Sequence, residues 1–451
     1  MAISSNPGSD TGSTTLRVWQ LAWPTIVSNL LLTTVQFAHI KIVSDLGSSS
    51  VAAVTTGHRV FFLLQAMMMG LSVAATALIS RHWGAGNKLI AERAHWASMA
   101  LCLLLSAVTT IPLLLFPSQV AGLFGLDAHT TQETARFIFW YGLFSVFISI
   151  NLMLSTALRA TGDVVTPLWF LFASVMLNVL LAYSFTYGAL GLPALGVAGT
   201  AMGGGLAAAI PACIFVLSWW RGNFKLGAVK RWAIDRTQVR QLVQIGTPSV
   251  LEQGFIQIAM LGFFLFLGHY GTAAYAAYGI GISIVSFSLV VAFSFGLATA
   301  TLVGQHLGAQ RPDLARTTGW RGLAMAVTTM CVLSVPIAIY AQDLARFMIP
   351  DEETVQLTKV FIYFIALSQP IMAIEITLGS ALRGAGDTRF PLISTVIGMV
   401  AGRIIPAAIF VSLGMSVYWM FAVTLFDYGI KAVLMLLRYS RGHWQHVRIG
   451  S

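Results

Sequence analysis

Residues 157–168, ALRATGDVVTPL, return at residues 381–392 as ALRGAGDTRFPL, and the 224-residue offset between them holds along most of the chain. It pairs Pro24 with Pro248, Gly47 with Gly271, Ala52 and Ala53 with Ala276 and Ala277, Gly84 and Ala85 with Gly308 and Ala309, and Ala91 with Ala315. Matches of alanine and glycine come readily in so apolar a chain. Matches of Arg159 with Arg383, Asp163 with Asp387 and His82 with His306 do not, because only 9% of the residues are charged. The register marks a duplicated half, so both halves must reach closely similar folds.

With 57% hydrophobic residues and a mean hydropathy of +0.79, the chain has too little charge for a water-facing surface and reads as an integral membrane protein. Twelve apolar runs are long enough to cross roughly 30 Å of hydrocarbon as helices. They cover about 18–44, 50–80, 94–116, 134–157, 165–187, 194–219, 241–268, 275–303, 318–340, 356–381, 390–412 and 416–437. An even six per half means that the second half enters the membrane from the same side as the first. The expected fold is therefore all-α, two parallel six-helix repeats related by a pseudo-twofold axis along the membrane normal, with a cavity between them. The chain divides into a disordered tail (1–16), an N-lobe (17–219), a basic linker (220–240), a C-lobe (241–438) and a C-terminal tail (439–451). Trp232 is expected at the headgroups on a short interfacial helix within the linker. The first sixteen residues lack the basic and apolar regions of a signal peptide.

A net charge of +10 could suggest nucleic acid, but the basic residues are sorted by loop instead of gathered on one face. Arg81, Lys88, Arg93, Arg159, Arg221, Lys225, Lys230, Arg231, Arg236, Arg240, Arg311, Arg316, Arg321, Arg383, Arg389, Arg438, Arg441 and Arg448 belong to one side. The opposite connections hold Arg346 and the acids Asp45, Asp127, Glu133, Asp343, Asp351, Glu352 and Glu353. By the positive-inside rule both termini are expected in the cytoplasm, which places the chain in the inner membrane. Cys102, Cys213 and Cys331 stand singly in apolar spans, giving no disulfide framework and no metal spacing. No HExxH, GxSxG or GxxxxGK[ST] occurs, so neither an enzyme site nor ATP use is signalled. No cofactor, no nucleic acid and a monomer contacting lipid and small organic molecules are expected.

An ionisable group in hydrocarbon costs several kcal/mol unless it faces a cavity or a partner. Of the sixteen acids only Glu252, Glu375 and Asp427 lie inside spans, all in the second half. The register gives Ser28 for Glu252 and Asn151 for Glu375. Arg403 lies at comparable depth in span eleven and Lys431 follows Asp427 by one turn. Two readings stand: Arg403 and Lys431 pair permanently with the carboxylates, or an ion bound at Glu252 competes with that pairing. A desolvated carboxylate suits H⁺, and Glu252 with the Gln253 oxygen suits Na⁺.

The paired LRxxGD loops, the paired HxGA turns and the six-plus-six layout resemble the multidrug and toxic compound extrusion (MATE) transporters, over nearly the whole of Leu16 to Arg438. The resemblance implies an antiporter exporting organic, often cationic, compounds by alternating access on an H⁺ or Na⁺ gradient. Two positions depart from the family. His39 stands where many bacterial members carry a first-helix carboxylate, and Ala182, four residues after Asn178, stands where one branch carries its partner.

His39 is either a proton-sensitive group replacing that carboxylate or a satisfied polar histidine. Lys41 is expected to snorkel and pair with Asp45; Asn178, Gln36 and Asn29 line the N-lobe cavity or join helices. Phe255, Tyr278 and Phe61 are expected at the cavity wall, placed to stack on planar cations, with Phe62, Phe263 and Phe264 near them. The loops at Arg159, Asp163, Arg383 and Asp387 are assigned to loop geometry and inner closure. His39, Lys41, Arg59 and Arg403 keep open a lipid-linked precursor flippase or organic-anion exporter of the same superfamily.

Overall fold

The computed structural model describes residues 9–227 and 235–447. Lys230, Arg231 and the proposed headgroup anchor Trp232 lie outside the described residues, as does Arg448. Twelve membrane-length helices are present, and no strand occurs among the described residues. They are α1 (Ser9–Ser44), α2 (Ser48–Gly84), α3 (Lys88–Leu115), α4 (Ala128–Ala160), α5 (Val165–Tyr187), α6 (Val197–Trp220), α7 (Arg236–Leu267), α8 (Thr272–Gly308), α9 (Pro312–Ile339), α10 (Glu352–Gly384), α11 (Arg389–Ser412) and α12 (Val417–Arg441). Adding 224 to the bounds of α2, α3 and α4 returns those of α8, α9 and α10. The duplication read in the sequence is thus a duplication of elements.

One expected boundary is corrected. The tail was expected to lack structure through residue 16, yet α1 starts at Ser9. Once the apolar stretch is helical, each added residue contributes a hydrogen bond without a new nucleation cost, so the helix extends into the polar segment.

Local chemistry fixes the repeated turns. Gly162 and Gly386 take φ of 92° and 90°, a region closed to most side chains. Their amides reach the carbonyls of Arg159 and Arg383, and the amides of Asp163 and Asp387 reach those of Leu158 and Leu382. This is the Schellman stop of a helix, and it explains the glycine of the motif. Asp163 then accepts from the Thr166 amide at 3.1 Å, capping α5. At the opposite face Asp127 and Asp351 cap α4 and α10 in the same way, and the Thr130 and Thr354 hydroxyls hold both carboxyls below their usual range.

Helices α1 and α7 straddle the lobes. Val18 and Leu21 of α1 are buried in a core with Phe295, Met330 and Met372 of the C-lobe. Their repeat partners, Leu242 and Ile245 of α7, are buried in a core with Leu71, Leu78 and Leu154 of the N-lobe. Pro24 and Pro248 follow three residues later, inside continuous helix. Each removes one backbone hydrogen bond where its helix passes from one lobe's core to the other's.

Candidate functional site

Among the described residues the buried charges of the C-lobe form three ion-paired groups, one of them Asp387 of the repeated loop with Arg438 at 2.8 Å. Glu252 of α7 is 2% exposed and accepts from the Arg383 Nη2 at 2.6 Å, from its Nε at 3.3 Å and from the Thr395 hydroxyl at 2.8 Å. Asp427 of α12 is paired at 2.8 Å with both Arg403 and Lys431. Arg403 also donates to the Tyr278 hydroxyl at 3.1 Å and lies over the Phe263 ring. Glu375 of α10 lies within electrostatic reach of Lys431, Arg383, Glu252 and Asp427, with no direct ion pair among the described residues. Three carboxylates thus share one region with three cations.

This arrangement corrects the expected pairing. Glu252 is held by Arg383 of the repeated loop motif and by Thr395, not by Arg403, and Gln253 makes no hydrogen bond to it. Consecutive helix residues point about 100° apart, so Gln253 faces away from the group that Glu252 meets. Arg383 therefore does more than shape its turn. Its twin Arg159 has no ion pair among the described residues, since the residue matching Glu252 is Ser28, bonded to its own helix at the Pro24 carbonyl. Asn151, matching Glu375, donates to the Ala208 carbonyl at 2.9 Å.

Helix α11 is irregular at this site, with residues Gly398–Ile404 in π-helical geometry. A Cβ on Gly398 would meet Lys431 and Asp427, and one on Gly402 would meet the Asp427 backbone. The widened turn and two bare glycines let α12 approach closely enough for Arg403 to reach Asp427. The sequence signal available was the GMVAG spacing at 398–402.

In the N-lobe, His39 is 1% exposed and bonded on both ring nitrogens, to Asn178 at 2.6 Å and to His58 at 3.3 Å. His58 is the member that sequence reasoning left out of the site. Gly204 makes room, for a Cβ there would press on His39 and Asn178, while Gly203 and Gly205 pack on α5 and Phe144. Lys41 pairs loosely with Asp45 at 4.0 Å on the surface, as expected of a snorkelling side chain. Asn29 donates to Ser294 of α8 at 3.1 Å, joining the lobes. Gln36 is exposed.

The aromatic expectations are also revised. Tyr278 is wholly buried among Phe263, Phe264 and Phe361, whereas Phe61, packed against Tyr141, lines a pocket inside the N-lobe with Met68, Ser106 and Ser145. Phe255 is half-buried. Across the lobe boundary, Phe37 of α1 and Phe287 of α8 stack in parallel at 6.3 Å, exposed by 56% and 47%.

At the end bearing the basic loops, α2 and α8 cross. A Cβ on Gly84 would strike the Gln305 carbonyl and one on Gly308 the Arg81 carbonyl. Arg81 and Gln305 are themselves repeat partners. Gln305 donates across the seam to the Ala160 carbonyl at 2.9 Å, and Arg81 reaches the Ala385 carbonyl at 3.5 Å. Each LRxxGD turn thus receives the helix end of the opposite lobe.

A family model described as MatE matches residues 24–184 and 248–409. The chain is 26% identical to the probable multidrug resistance protein NorM of Thermotoga maritima, covering 94% of this chain and 92% of that one. It is 23% identical to the probable multidrug resistance protein YoeA of Bacillus subtilis, over 86% and 85%. Among solved structures, the Vibrio cholerae MATE transporter VcmN in its bent form is similar with a TM-score of 0.88 at 19% identity, covering 96% of this chain and 98% of that chain. A MOP superfamily transporter of Pyrococcus furiosus is similar with a TM-score of 0.87 at 20% identity, covering 95% and 96%.

Proposed function

The chain belongs to the MatE family, and from that membership we propose that it is a secondary antiporter of the inner membrane that exports bulky amphipathic organic cations by alternating access. An inward H⁺ or Na⁺ gradient drives it. The names of the relatives as multidrug resistance proteins support the substrate class. The observation that carries the coupling is the pair between Glu252 and Arg383, 2.6 Å long and joining α7 to the repeated loop motif.

A proton on Glu252, or a Na⁺ accepted by its oxygens and the Thr395 hydroxyl, competes directly with the guanidinium. Neutralising the carboxylate releases Arg383, and Arg383 belongs to the turn that receives Arg81 of the other lobe. Ion binding near the midplane is thereby tied to closure at the basic-loop end. Glu375, adjacent to both groups and directly paired with neither, is the second carboxylate available to the ion. Asp427, shared by two cations, serves as a fixed anchor that Arg403 positions. Phe37 and Phe287 offer the exposed aromatic faces for a planar cation.

Drug susceptibility in a strain stripped of its own efflux pumps tests the substrate class, with ethidium-like lipophilic cations set against anionic conjugates. Protection against cations is the expected result. Protection against anions alone, lost when Lys41 or Arg59 is neutralised, would favour a lipid-linked precursor flippase or organic-anion exporter instead.

A further inference from the structure

The C-terminal residues form a strap across the seam between the lobes. Gly442, at φ 73°, ends α12 and turns the chain back into a short 3-10 segment, His443–His446. Trp444 anchors that segment: it is fully buried, its ring stacks on Tyr439 at 4.6 Å, and its Nε1 donates to the Tyr439 carbonyl at 2.9 Å. The Tyr439 hydroxyl donates in turn to the Ala315 carbonyl of α9 at 3.1 Å. Every one of these attachments lies within the C-lobe. The far end of the strap leaves it, for the Val447 carbonyl accepts from the Arg81 Nη1 of the N-lobe at 3.0 Å.

Among the described residues the contact has no repeat counterpart: Gln305, the twin of Arg81, donates to the Ala160 carbonyl of the opposite loop, and after α6 the Gly227 amide donates to Glu92 of its own lobe. Around Arg81 the seam is incompletely filled, with a cavity of about 440 Å³ lined by Leu78, Arg81, His82, Ala85, Leu307 and Gln310. Beside the tight crossing of α2 and α8, closure at this end depends on a few directed bonds, and a charge-assisted one carries weight there.

We propose that residues 442–447 are a latch which holds the lobes together at the basic-loop end through Arg81, and that its release precedes opening on that side. The consequence for transport rests on the alternating-access reading; the latch itself rests on the contacts of Trp444 and Val447.

Distance measurements between spin labels at Asn87→Cys on the N-lobe and Arg316→Cys on the C-lobe, with the three native cysteines replaced by alanine, test it. Trp444→Ala should raise the ratio of open to closed seam by about tenfold, the effect of losing one hydrogen bond to a charged group, and Arg81→Ala, which also loses its contact with the Ala385 carbonyl, by at least as much. The combined variant should open no further than Arg81→Ala alone. Equal additional opening by Trp444→Ala in the Arg81→Ala background would overturn the latch, since the strap would then act without its partner. Should Trp444→Ala fail to fold, Arg81→Ala decides independently: an unchanged distance distribution there rejects the proposal. Neither result touches the role of Glu252, which is read from gradient dependence.

Discussion

Gly84 and Gly308 stand 224 residues apart in sequence, and each lies against the other lobe's backbone where α2 and α8 cross. A methyl group at either position has only a backbone carbonyl to meet, which cannot rotate away as a side chain would. Gly84→Ala or Gly308→Ala should therefore spread the lobes at the basic-loop end, with overpacking of about 1–3 kcal/mol shifting the seam by roughly tenfold or more. Labelling of Ala85→Cys by a water-soluble thiol reagent would report the opening. Unchanged labelling in both variants would show that the crossing is not the closure.

The His39 network predicts a stability loss confined to one lobe. Asn178→Ala leaves the His39 Nε2 buried without a partner, a cost of about 1–3 kcal/mol. Thermal unfolding in detergent should show a clear drop, and His39→Gln, which can still donate and accept, should show a smaller one. Equal melting of wild type and Asn178→Ala would mean that the histidine pair does not hold α1 against α2 and α5.

Acid should loosen the caps at Asp127 and Asp351. Their carboxyls are depressed in the folded protein by the Thr130 and Thr354 hydroxyls. The stabilisation is therefore present above the unfolded carboxylate value and lost as pH falls through the folded one, below about pH 4. Melting temperature followed downward from pH 5 should fall less steeply in Asp127→Ala/Asp351→Ala than in wild type. Identical slopes would assign the acid sensitivity to other groups.

The sequence carried the fold because membrane helices are selected by length and apolarity, and a shared register made the two halves legible as one unit twice over. It also singled out Glu252, Glu375 and Asp427, since acids inside apolar spans are rare. Partners were another matter. Which neighbour a buried group faces depends on the rotation of each helix about its axis, and the π-helical turn at Gly398–Ile404 alters that rotation midway through α11. Arg383 was read as loop furniture because it closes a turn, and the same side chain reaches Glu252 on a helix 131 residues away. Tyr278 was read as cavity wall because aromatic residues suit cations, yet Arg403 takes its hydroxyl inside the lobe.

The pairing itself can be weighed by a double-mutant cycle. Removing one partner of a buried ion pair costs roughly 3–5 kcal/mol by stranding the other charge. Glu252→Gln and Arg383→Gln should each lower the melting temperature, and the double variant should be more stable than the sum of the two losses implies. Strict additivity would mean that the two groups act separately.

The central claim is that an ion competing with Arg383 for Glu252 drives export. Efflux of a lipophilic cation from proteoliposomes under separately imposed H⁺ and Na⁺ gradients tests it most directly, with wild type and Glu252→Gln compared at equal protein. Wild type should export under one of the two gradients, and Glu252→Gln, which carries no charge to titrate or exchange, should lose that acceleration while still binding substrate. Gradient-driven efflux at the wild-type rate in Glu252→Gln would contradict the account.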